Sequence, residues 1–151
     1  MIRVNKFRAY DTEKNIIYPV TALYDDGTCR VQDDARNLQL HYSKCNIMQF
    51  INRFDINGKE VFECDIFKQE VLMVPDGGNR YNNGTYWITC VCVVVFDADE
   101  SKFCGKYEFT RLNKKSSDID YSKFTNRRGF VALDSKIEVI GNIYENEDLL
   151  K

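Results

Sequence analysis

Histidine is almost missing from this chain of 151 residues: His41 is the only one. Any His-dependent triad would have to be built on it. His41 alternates with apolar neighbours, Leu38, Leu40 and Tyr42 against Gln39 and His41, which puts it on the solvent side of a strand. Long apolar runs are missing too. The longest, Cys90 to Phe96, suits a buried strand and falls far short of the roughly 20 residues that cross a bilayer. The opening Met1-Ile2-Arg3-Val4-Asn5-Lys6 lacks the apolar core of a signal peptide. The expectation is a cytoplasmic protein with no membrane partner. A strong charge of one sign is absent, with 21 basic residues against 23 acidic and a net of −2. That balance argues against a chain built throughout as a nucleic-acid polycation and leaves room for a local basic face.

Metal-ligand spacing is absent as well. Six cysteines are present, Cys29, Cys45, Cys64, Cys90, Cys92 and Cys104, yet the only close pair is Cys90-x-Cys92. Structural zinc sites use paired knuckles with two to four intervening residues. No metal and no cofactor is therefore expected. With no export signal the even count does not argue for disulfides, and the thiols read as small core hydrophobes, with Cys90 and Cys92 facing the same way.

What the chain does have is a succession of short runs rich in Val, Ile, Phe and Tyr, punctuated by turn dipeptides. That is the pattern of a mainly β protein. Strands are expected over 16–24, 28–32, 38–42, 47–50, 59–62, 65–67 and 70–74. Tyr86 to Phe96 reads as a central strand buried on both faces. Further strands are expected over 103–112, 130–133 and 136–143. Asp26-Gly27 and Asn57-Gly58 read as hairpin turns, the second as a type I′ pair. The stretch 113–128 reads as loop or short helix, and Asn146 as the N-cap of a final helical turn. Size suits one domain over 1–151, or two small lobes sharing a core and joined near the glycine-rich loop 75–84.

Several motifs tempt a functional reading. Asp55-x-Asn57-Gly58 fails as an EF-hand loop, because the position that must hold the bidentate Glu is Cys64 and position one is Arg53. Asp76-Gly77-Gly78 lacks the Gly-Lys-Ser/Thr end of a phosphate loop. Asn83-Gly84-Thr85 matches a glycosylation acceptor by letter alone. Glu60, Glu63 and Asp65 form a carboxylate group in which strand alternation would put Glu63 and Asp65 on one face. They could serve acid–base or magnesium chemistry, but no nucleophile accompanies them. The structural reading is that a Glu-x-Asp step fixes a turn by accepting backbone amides.

Three blocks, in order, carry a resemblance. The first is Lys6-Phe7-Arg8-Ala9-Tyr10-Asp11. The second is Gln49-Phe50 followed by Asp55-x-Asn57-Gly58-Lys59-Glu60-Val61-Phe62-Glu63-x-Asp65-Ile66. The third is Val139-Ile140-Gly141-Asn142-Ile143-Tyr144-Glu145-Asn146. Together they resemble the YopX protein family, found mainly in phages and prophages of Gram-positive bacteria. Asn52 stands where the family usually has glycine, and asparagine tolerates the left-handed region. Cys64 replaces another usual glycine, and Glu147 a common proline. The resemblance implies a mostly β architecture of small-barrel, Src-homology-3-like character with twisted antiparallel strands and a few short helical turns. It also implies self-assembly into a homo-oligomer. It carries over no catalytic residue and no established activity.

The expected function is accordingly a non-enzymatic accessory protein that assembles with itself and binds a host or phage macromolecule. The alternative is nucleic-acid binding through 106–128. That segment holds seven basic side chains against three acidic ones, interleaved with Tyr107, Phe109, Tyr121 and Phe124. Basic side chains with aromatics between them can hold a single strand by charge and stacking, and Lys114, Lys115, Arg127 and Arg128 are the candidate contacts. The apolar ending Tyr144, Leu149 and Leu150 could pack on its own subunit or on a neighbour.

Overall fold

A computed structural model describes residues 5–73, 86–108, 128–133 and 136–150. Eleven strands account for most of it: β1 (Phe7–Asp11), β2 (Ile16–Leu23), β3 (Thr28–Asp33), β4 (Arg36–His41), β5 (Cys45–Phe54), β6 (Glu60–Phe62), β7 (Asp65–Met73), β8 (Tyr86–Asp97), β9 (Lys102–Glu108), β10 (Arg128–Val131) and β11 (Glu138–Asn142). Two 3-10 turns, Tyr42–Lys44 and Glu147–Leu150, are the only helical pieces among the described residues. The chain is thus mainly β, as the short apolar runs predict.

The strands form two antiparallel sheets, one in the order β4-β3-β2-β1-β5-β6 and one in the order β10-β9-β8-β7-β11. The first sheet curls tightly. Ala9, Tyr18, Cys29, Val31 and Cys45, with Leu38 and Leu40, fill a single core drawn from its first five strands. Cys29 Sγ and Cys45 Sγ meet there at 3.9 Å although two strands separate β3 from β5 in the ladder. The second core lies on one face of the other sheet and takes Val61 from β6.

Strand β8 differs from its expectation. Cys90, Cys92 and Val94 are buried together, so the two cysteines do face the same way. Val91, Val93 and Val95, on the other face, are only half-buried. An unbroken apolar run does not reveal that its second face is only partly covered. Two strands read separately, 65–67 and 70–74, are one, β7. The loop 75–84, with Asp76-Gly77-Gly78 and Asn83, lies outside the described residues, as does Thr85.

The Asn57-Gly58 turn also departs from its expectation. Gly58 is left-handed, with φ 78°, but Asn57 is not, and the Gly58 amide donates to the Asp55 carbonyl at 3.0 Å. This is a type I turn closed by a left-handed glycine, not a type I′ pair. The hairpin itself, β5 to β6, forms as expected.

Asn52 and Cys64, the two positions where the family favours glycine, are both left-handed, with φ 57° and 65°. The Cys64 peptide ties the sheets together in that conformation. Its N–H donates to the Val94 carbonyl at 2.9 Å, and its C=O accepts from Ile143 N–H at 3.0 Å. A side chain in this region costs about 1–2 kcal/mol, which glycine avoids at an entropic cost of under about 1 kcal/mol. Cys64→Gly should therefore be more stable than Cys64→Ala by about 1 kcal/mol in urea unfolding, since both lose the sulfur and only alanine keeps the strain. Equal stability of the two variants would contradict the strain at Cys64.

Candidate functional site

The polar residues of the three sequence blocks converge on the seam between the sheets. Asp55 directly follows β5 and is buried. Its Oδ1 accepts from the backbone N–H of Asn57 and of Lys59, both at 2.8 Å, and its Oδ2 from Val139 N–H at 3.1 Å. One carboxylate thus shapes the β5–β6 turn and grips β11 of the other sheet. Burial by itself raises the carboxyl, but the hydrogen bonds from Lys59, Val139 and Asn57 outweigh it and hold Asp55 below its ordinary value of 3.8.

Asp65 makes the second crossing. It opens β7, is 1% exposed, and accepts from Arg8 Nη2 on β1 and from Phe62 N–H at 2.8 Å. Burial pushes its carboxyl up despite the Arg8 charge beside it. Arg8 lies over the Phe62 ring with 4.5 Å to the centroid. Beside this pair, Tyr10 stacks on Tyr144 with centroids 4.5 Å apart.

The expected pairing of Glu63 with Asp65 on one strand face does not occur. The left-handed Cys64 breaks the alternation between them, and 63–64 form a turn. Glu63 Oε2 accepts from Gln49 N–H at 3.0 Å, and Glu60 pairs with Lys6. The turn-fixing role expected of the Glu-x-Asp step is what these contacts describe.

In the third block Asn142 Oδ1 accepts from the N–H of Tyr144 and of Glu145, at 2.9 and 3.0 Å. Asn146 does not cap with its side chain as expected. Its Oδ1 turns back to Asn142 N–H at 3.2 Å. A Cβ on Gly141 would stand 2.4 Å from that oxygen, so the close approach requires glycine. The ending packs on its own chain through Tyr144, while Leu150 stays exposed.

The remaining candidates divide. His41 is exposed, and its Nδ1 accepts from Ser43 N–H at 3.2 Å, capping the 3-10 turn. Five cysteines are buried and Cys64 partly so. Burial pushes Cys45 and Cys92 up to about 12 and Cys90 to about 11. Thiols held protonated in this way are poor nucleophiles. Among the described residues no group of three or more His, Cys, Asp or Glu side chains is placed to hold a metal, and no helix is long and apolar enough to cross a membrane. Of the four basic candidates, Lys114, Lys115 and Arg127 lie outside the described residues, and Arg128 begins β10.

Sequence reasoning missed a groove of about 620 Å³ that opens between the sheets. Gln49, Phe50, Asn52 and Arg53 of β5 form one side, and Phe96 of β8 with Lys102 and Phe103 of β9 another. Arg53 Nη1 donates to the Leu133 carbonyl at 2.8 Å. Phe96 packs edge-on against Phe103, with centroids 5.2 Å apart, and is still 51% exposed. Alternation puts Phe96 on the same face as Cys90, Cys92 and Val94. The core ends before it is reached, and no local pattern in the sequence announces that.

These features define a two-sheet antiparallel β protein whose most distinctive polar residues hold its sheets together. The chain belongs to the YopX protein family, whose model matches residues 6–151. The crystal structure of protein EF1440 from Enterococcus faecalis is similar in fold. It is 24% identical, with a TM-score of 0.50, over 99% of this chain and 100% of that one. No curated protein matches the chain.

Because Asp55 is held below 3.8, its contribution to stability is present above that pH and is lost as pH falls through the folded value. Asp55→Asn should cost about 2 kcal/mol at neutral pH, since an amide meets three backbone N–H donors with one acceptor fewer. The gap to wild type, followed by urea unfolding, should be constant above about pH 5 and shrink below about pH 4. A gap independent of pH would contradict the charge-assisted role.

Proposed function

We propose that this protein is a non-enzymatic interaction module, a phage or prophage accessory protein acting in the host cytoplasm and assembling as a homo-oligomer. The observation that carries the reading is the use made of the family's polar residues. Asp55, Asp65 and Asn142 are committed to backbone amides, to Arg8 and to Glu145, at the seam or at the end of β11. A family whose most recognisable carboxylates are structural is united by a scaffold, and function then resides in surfaces.

The architectural part of the proposal is that the first sheet closes as a small Src-homology-3-like barrel. Its support is the shared core of five strands and the approach of Cys29 to Cys45. Self-assembly draws support from the sheet ends. Among the described residues, strands β4 and β10 each terminate a sheet order, and a sheet edge is a template for another chain. Nucleic-acid binding is the second reading, favoured by the basic surplus over 106–128.

Sedimentation equilibrium should give a mass that is a whole multiple, above one, of 17.7 kDa. A monomer mass throughout the micromolar range would contradict self-assembly. A tagged pull-down from host cells, with and without nuclease, separates the readings further. A protein partner that survives nuclease supports the interaction module, and a catch lost with nuclease supports the second reading.

A further inference from the structure

We propose that the outer edge of β4 pairs with β4 of a second copy of this chain, antiparallel and centred on Gln39, so that two first sheets join across a two-fold axis. The inference deepens the self-assembly reading and rests on it. Among the described residues four strands end a sheet order: β4, β6, β10 and β11. Two of these edges already hold contacts of the chain itself. Phe62 N–H of β6 donates to Asp65, and Val139 N–H of β11 donates to Asp55. Strand β10 has only four residues, and 109–127 before it lie outside the described residues. Strand β4 has six, and its main-chain groups point two ways. Tyr42 N–H, just after the strand, donates to the Gly27 carbonyl at 2.8 Å. Main-chain groups alternate sides along a strand, so those of Leu38 and Leu40 also face β3. The N–H and C=O of Asn37 and Gln39 then point away from the sheet, and among the described residues no hydrogen bond meets them there.

Sheet edges are ordinarily blunted by a proline, an inward-pointing charge or a bulge. Strand β4 has none of these. Its ladder with β3 runs without a register shift from Thr28–His41 to Asp33–Arg36, and Arg36, at the start of the strand, is exposed. The strand is also self-complementary. In an antiparallel pair centred on Gln39, that residue stands opposite the partner's Gln39, Asn37 opposite the partner's His41, and Leu38 opposite the partner's Leu40. The two central glutamines exchange a pair of main-chain hydrogen bonds. The leucines, half-buried against the core of the first sheet, each gain a second apolar neighbour. Arg36 falls opposite the partner's Tyr42, so no like charges meet. Pairing uses up the edge of both copies, and the contact closes on itself instead of growing into a filament.

Sedimentation equilibrium of variants at Gln39 tests the edge and its register. Gln39→Lys sets two ammonium groups face to face across the axis, and Gln39→Glu sets two carboxylates. Each should weaken association about fivefold at low salt. Mixed in equal amounts, the two variants should associate at least as tightly as wild type, because lysine then faces glutamate. Both lose the bond from Gln39 Nε2 to Thr28 Oγ1 at 2.9 Å, so recovery on mixing reads the facing charges alone. Gln39→Pro should weaken association about thirtyfold, the loss of two main-chain bonds at the axis. It should leave the subunit folded, since proline is tolerated where a strand's N–H points off the sheet. Circular dichroism melts establish that each variant folds, and the charge pair carries the test if the proline variant does not. A wild type that is monomeric throughout the micromolar range overturns the inference together with the self-assembly reading. Assembly that no Gln39 variant weakens, or that mixing the charged variants does not restore, overturns the inference and leaves self-assembly standing through another surface. A monomeric wild type that loses a host protein partner on Gln39→Pro assigns the edge to an extended segment of that partner, and the inference falls while the interaction-module reading survives.

Discussion

Asp55 is the constraint on which the rest of the molecule depends. A buried carboxylate is costly unless its lone pairs are met, and here three backbone N–H groups meet them. Two belong to the turn that starts β6, and the third belongs to β11 in the other sheet. Because hydrogen bonds are short and directional, fixing that oxygen fixes where the second sheet sits against the first. Around it, Ile56 N–H donates to the Ile137 carbonyl and Arg53 to that of Leu133, so the end of β5 is also bonded to residues that lie between β10 and β11. Asp65 repeats the arrangement from the other side, tying β7 to Arg8 and Phe62.

The three sequence blocks are therefore one structural unit seen in three places. The first meets the second where β1 pairs with β5 and Phe7 stands opposite Gln49. The third reaches the second through Val139 and the first through the Tyr10–Tyr144 stack. A left-handed residue at 64 and a glycine at 141 give the backbone the close turns this crowding needs. Apolar packing supplies most of the stability, and the carboxylates supply uniqueness of arrangement, because a misplaced seam would leave a buried charge unmatched.

Much of this was legible in the sequence. Alternation and turn dipeptides located most strands, and the spacing of Cys90 and Cys92 gave their shared face. The family blocks flagged Asp55 and Asp65 as residues to explain. What local pattern could not give was long-range: that Arg8 meets Asp65 57 residues away, or that Val139 meets Asp55 84 residues away. The left-handed Cys64 reversed the predicted facing of Glu63 and Asp65, because one such residue ends the two-residue period. Phe96 reads as core from its alternation and is exposed only because the core stops short of it. The groove it lines joins residues from both sheets, so it exists only once the seam has formed.

The most direct test of the seam is native-state amide hydrogen exchange of wild type and Asp55→Asn. Disruption at one carboxylate should lower the protection of Asn57, Lys59 and Val139 together, while the β2–β3 amides on the far side of the first sheet keep their wild-type protection. Loss confined to Asn57 and Lys59, with Val139 unchanged, would show that Asp55 shapes only its own turn and does not join the sheets.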